Sequence, residues 1–184
     1  MRFSYPLVLA AGILFVTSEF AISESEKRTA AWQLENDPLT IAASTVGAFG
    51  KGRSWYLSMN SAGQAELTIE TYPERTRRQF QVSKEKLAAL RKALRQEKFF
   101  DLSGEYGEQV PDSSTTTLTV TAGDHTKALK LHFLMNWAVS RDKARLREPA
   151  RAVRVMLLIR NWFTDAEAVD LRKYHQMVLD AVKN

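Results

Sequence analysis

Residues 54–72 read SWYLSMNSAGQAELTIETY, and this stretch decides the fold. Trp55, Leu57 and Met59 alternate with Tyr56 and Ser58, and beyond Asn60-Ser61-Ala62-Gly63 the alternation resumes, with Ala65, Leu67 and Ile69 set against Glu66, Thr68 and Glu70. Successive side chains of a strand point to opposite faces, so strict alternation marks a strand with one face in a core and the other in water. Gly63 can take the positive φ that closes a hairpin between two such strands. The neighbouring segments extend the hairpin into a meander. Upstream, Asn36-Asp37-Pro38 punctuates the chain, and Leu39, Ile41 and Ala43 share one face of a β-prone segment. Downstream, Pro73 ends the second strand, and Arg78, Phe80 and Val82 form one row of another.

The period then changes. Ser83 stands where a helix N-cap belongs, Glu85 falls in the acidic first turn, and Leu87, Leu90 and Leu94 recur at helical spacing. Lys84, Arg91, Lys92 and Arg95 occupy the opposite face, which is expected to lie in water. Phe99, Phe100 and Leu102 carry the apolar signal past the helix to the domain edge. A second hairpin follows: Leu118 and Val120 alternate with threonines, Gly123-Asp124 turns the chain, and Leu129, Leu131 and Phe133 alternate with Lys130 and His132. Residues 136–147 read as irregular or weakly helical, and Pro149 fits the first turn of a helix buried through Val153, Met156, Leu157 and Phe163. Thr164 and Glu167 have capping-box spacing ahead of a closing helix with Leu171, Tyr174, Val178 and Val182 in one stripe. The expected fold is α+β: a mostly antiparallel sheet of about six strands, one helix across it and two C-terminal helices. It forms a single domain over residues 39–184, behind an arm or short helix at 24–38.

Residues 1–23 have the layout of a secretory signal peptide: Arg2, then an apolar run from Tyr5 to Val16, then Ala21 and Ser23 in a small-x-small pattern. Cleavage is expected after Ser23. Thr17, Ser18 and Glu19 break the run before the roughly 20 apolar residues that a membrane span needs. The expected location is therefore secreted or periplasmic, with no stable membrane anchor after cleavage. The chain has 0 Cys, which removes thiol nucleophiles, iron–sulfur clusters, thiolate zinc and a lipid-bearing cysteine together. Stability must come from a packed core, which a domain of about 150 residues can supply, burying on the order of 70% of its unfolded surface. The formal charge is +5, from 26 Lys and Arg against 21 Asp and Glu, a mild bias toward anionic partners.

Four constellations carry candidate chemistry. Gly47, Gly50 and Gly52 surround Phe49 and Lys51 in a loop where Lys51 is the binding candidate, although the chain runs there from strand to strand and lacks the strand-to-helix passage of a phosphate loop. Asp101, Glu105, Tyr106, Glu108 and Asp112 gather in an acidic loop, and Asp101, Glu105 and Asp112 are the candidate general acid and base for hydrolysis. Arg147, Arg151 and Arg154 recur at i, i+4 and i+7, a basic stripe able to hold an anionic polymer, although a solvated outer face has the same spacing. Trp55, Tyr56, Trp137 and Trp162 could stack on a carbohydrate, yet their spacings equally suit a core. His125, His132 and His175 have no chelating spacing, so neither a metal nor a cofactor is expected. The leading expectation is an exported, non-catalytic binding protein with a macromolecular partner in the cell envelope or outside the cell. The alternatives are an envelope hydrolase using the acidic loop and a binder of an anionic polymer through the arginine stripe.

Overall fold

The computed structural model describes residues 34, 36–47, 54–163 and 172–183. Residues 1–33 with the expected leader, residue 35, residues 48–53 with Lys51, residues 164–171 with the expected capping box and Leu171, and residue 184 lie outside them. The first meander consists of β1 (Leu39–Val46), β2 (Ser54–Met59), β3 (Gln64–Thr71) and β4 (Glu74–Gln81). Helix α1 (Lys84–Gln96) and a 3-10 turn (Phe99–Asp101) follow, then β5 (Glu105–Tyr106), β6 (Thr115–Ala122) and β7 (His125–Leu131). Helices α2 (Met135–Val139), α3 (Lys143–Arg160) and α4 (Arg172–Lys183) close the chain.

All strands among the described residues join one seven-stranded sheet in the order β4-β3-β2-β1-β6-β7-β5. Every pairing is antiparallel except β5 with β7. The architecture is thus the expected α+β one, with a strand more than the pattern suggested. Glu105–Tyr106 is too short to show a period of two, and its pairing with Lys130 and Leu131 depends on tertiary placement. Gly63 takes φ 78 in the β2–β3 turn, where the Asn60 side chain accepts the amides of Ala62 and Gln64, both at 3.0 Å.

The register lines up the apolar rows. Ile41 faces Met59 on one side and Val120 on the other, and Ala43 faces Leu57 and Leu118. These rows share one core with Leu90 and Leu94 of α1, Val153, Val155, Met156 and Ile159 of α3, and Val178 of α4. Trp55 meets Phe163 edge-on with ring centroids 5.2 Å apart, joining the sheet to the end of α3. Fully burying an aliphatic side chain of this size contributes about 1.5–3 kcal/mol, so a core of this extent needs no cross-link.

Three helical details differ from the expectation. The face of α1 opposite its leucines is not wholly in water, because Arg91 donates to the carbonyls of Leu34 and, at 2.8 Å, Asp37, tying the segment before β1 to the helix. The chain over 136–147 is more ordered than its sequence reads: it holds α2, a left-handed turn with Arg141 at φ 54, and the beginning of α3. Pro149 therefore lies inside α3 instead of opening it. The start signal is Asp142, whose carboxylate accepts the Arg145 amide at 3.1 Å. The proline removes only the amide that would bond the Arg145 carbonyl, and its ring is buried. No described helix is long and apolar enough to cross a membrane.

Candidate functional site

While one sheet face meets the core, the register places the alternate side chains on the opposite, open face. A row runs across six strands of that face: Lys130, Thr117, Ser44, Tyr56, Thr68 and Arg77. The neighbouring row holds Ala128, Thr119, Ala42, Ser58, Glu66 and Gln79. Between them lies a groove of about 360 Å³ bordered by Ala42, Ser44, Thr117 and Thr119 and by the longer side chains of Tyr56, Arg75 and Arg77. Ser44 Oγ lies 2.7 Å from Thr117 Oγ1, so the middle of the groove is a neutral hydroxyl surface. At the β4 rim, Arg77 Nε is 3.2 Å from Glu66 and Arg75 Nε is 3.4 Å from Glu70. Thr68 is only 5% exposed although it belongs to this face, whereas Tyr56 is 38% exposed. The surface therefore has depth near Thr68 and an accessible aromatic ring beside it.

The β5 edge of the same face carries the ionisable chemistry. Glu105 and Lys130 are register partners, and Glu105 Oε1 lies 2.7 Å from His132 Nε2. Gln109 Nε2 donates to the same oxygen at 3.0 Å, and Thr115 Oγ1 stands 3.4 Å from His132 Nδ1. The hydrogen bond from Gln109, followed by that from His132, holds the Glu105 carboxyl below its ordinary pKa. Gly107 makes the approach of this segment possible. At φ 95, a Cβ there would stand 3.0 Å from the His132 carbonyl carbon and 3.1 Å from the Phe133 oxygen.

The other acidic residues are placed apart from one another. Glu108 accepts from Asn136 Nδ2 at 2.7 Å and Trp137 Nε1 at 2.9 Å, which fixes α2 to the loop. Tyr106 and Ser103 both donate to Glu148 Oε2 on α3, at 3.2 and 3.0 Å. Burial, above the other influences, raises the Tyr106 pKa. Asp101 is exposed in the 3-10 turn, and Asp112 is exposed at φ 61 beside a cavity of about 290 Å³ lined by Val110, Phe133 and Tyr174. Of the three candidate acids, Glu105 is the one with an imidazole against it.

The arginine stripe faces the end of α1. Arg154 Nη1 is 2.7 Å from Glu97 Oε2, and Arg151 Nη2 donates to the Lys98 carbonyl at 3.1 Å, while Arg147 is exposed. These contacts dock α3 against the C-terminal end of α1, where cations suit the helix dipole. Of the aromatic candidates, Trp55 and Trp162 are buried, Trp137 bonds Glu108, and Tyr56 alone borders the groove. Among the described residues no three His, Asp or Glu side chains gather to hold a metal. The hydroxyl rows and the Glu105–His132 contact escaped the sequence reading. The outward parity of His132, read correctly with Lys130, was the available signal, but only the parallel β5 pairing brings Glu105 to it.

Together these features define a class: a small α+β domain with one sheet face closed by helices and the other open, polar and grooved. Within that class the chain belongs to the family described as Domain of unknown function (DUF6438), which matches residues 39–140. The match begins at β1 and ends just past α2, so it holds the whole sheet and α1, while α3 and α4 follow it. No curated protein matches the chain.

Proposed function

We propose that the protein is an exported, non-catalytic binding domain that engages a macromolecule of the cell envelope or extracellular space through the open sheet face. The observation that carries this reading is the groove between Tyr56, Thr117 and the Arg75–Arg77 rim, whose middle is neutral hydroxyl and whose rim charges are paired. Such a surface accepts a ligand without stranding an ion. Export rests on the leader-like residues 1–23. The arginine stripe is a weaker contact surface, since Arg151 and Arg154 already bond the end of α1.

A photo-crosslinking side chain placed at Ala42 or Ser58 in cells is expected to capture one reproducible macromolecule, and a probe at Arg147 is not. The captured chain should have the mass of residues 24–184. Capture from position 147 alone would instead favour the anionic-polymer reading, and an uncleaved cytosolic chain would remove export.

One observation favours a second reading, hydrolysis: Glu105 is fixed against His132, with the Thr115 hydroxyl on the far ring nitrogen. Asp101 and Asp112 would be the other candidate acids. That reading fails where Glu105→Gln, Asp101→Asn and Asp112→Asn each leave a measured envelope-polymer hydrolysis unchanged.

A further inference from the structure

Among the described residues, strand β4 ends the sheet on its outer side for eight residues, and every residue from Glu74 to Gln79 is exposed. Its outward hydrogen-bonding groups can be assigned. The Val82 amide donates to the Gly63 carbonyl at 2.9 Å, and an antiparallel ladder bonds alternate residues, so Phe80, Arg78 and Thr76 also turn their amides toward β3. Arg75, Arg77 and Gln79 turn theirs outward. The side chains of these same three residues lie on the open face, so backbone donors and guanidinium groups recur together along one edge.

The charge there is graded. The acids that meet Arg75 and Arg77 stand one strand inward, on β3, and each pair is made through Nε. A guanidinium has further N–H donors, so the outermost layer of the sheet is cationic. At the far end of β4, Gln79, Phe80 and Gln81 border a cavity of about 590 Å³ that reaches Asn60. An exposed strand with charged side chains is also a recognised guard against edge-to-edge pairing of copies.

We propose that the β4 edge binds an extended acidic segment of a partner protein by strand addition. The incoming strand bonds the amides of Arg75, Arg77 and Gln79, and carboxylates at alternate positions meet the two guanidiniums. This surface shares Arg75 and Arg77 with the rim of the groove, but the outward amides lie on the strand edge and binding there does not require the groove to be occupied.

The probe is an eight-residue peptide alternating glutamate with threonine, added to the full chain and to the chain lacking residues 1–23. It is expected to slow amide hydrogen exchange at Arg75, Arg77 and Gln79. Combining Arg75→Glu with Arg77→Glu should weaken it at least about tenfold and transfer binding to the lysine–threonine counterpart. Because the reversed charges oppose Glu70 and Glu66, Arg75→Thr with Arg77→Thr serves as the gentler variant and should also lose affinity. Unchanged exchange at the three amides, or affinity indifferent to both variants, overturns the proposal. So does a threonine variant that self-associates through β4 while the original chain binds no peptide, since the arginines would then only keep copies apart.

Discussion

Glu105 shows how much one short contact can depend on its neighbours. The hydrogen bonds from Gln109 and His132 favour the charged carboxylate and lower its pKa. What the contact adds is therefore fully present above the ordinary glutamate range and is lost as pH falls through the lowered midpoint. Gln109→Ala should raise the Glu105 midpoint toward the ordinary value, read as the pH dependence of its side-chain carboxyl NMR signal. A midpoint that does not move would mean that Gln109 does not hold the carboxylate. Little of this was legible in the sequence. Glu105 could be singled out as an acid in a loop, but its partner lies 27 positions away, and Gly107, which permits the approach, looks in sequence like any loop glycine.

At the scale of elements, the contact between α1 and α3 gives the arginine stripe a structural role. Arg154 and Glu97 are partly exposed, so solvent screens their attraction and the pair is expected to contribute about 0.5–1 kcal/mol. A double-mutant cycle of Arg154→Ala and Glu97→Ala, followed by urea denaturation, should return that coupling, and a value of zero would leave the stripe available for an outside ligand. The elements themselves were largely readable. Alternation placed β1 to β4, β6 and β7, and the leucine spacing with Ser83 placed α1, because in each case the burial period is written in several consecutive residues. The start of α3 was misjudged because Pro149 is a strong opening signal, while Asp142 is a single polar residue in a polar stretch. Open-face chemistry was harder to read, since Thr, Ser and Ala at outward positions look the same whether they face plain water or build a groove.

For the whole molecule, the two proposed surfaces follow from one asymmetry. Among the described residues the helices gather on one face and leave the other face and the β4 edge uncovered, while the opposite edge ends in the two-residue β5. A sheet half covered in this way is ordinary for antiparallel folds, so the groove and the cationic rim, not openness alone, carry the functional readings. The strand order has a further consequence for how the chain is made. Of the described strands β1 is the first to be synthesised and lies inside the sheet, yet its two flanks are filled at very different times. β2 begins at Ser54, soon after β1 ends at Val46, whereas the bond between Thr45 and Thr116 closes a separation of 71 residues. Long-range closure is slow relative to hairpin formation. During synthesis the nascent meander therefore carries an unsealed inner flank until residue 115 emerges, so the closing of β6 onto β1 is expected to be the late, slow step in building the sheet.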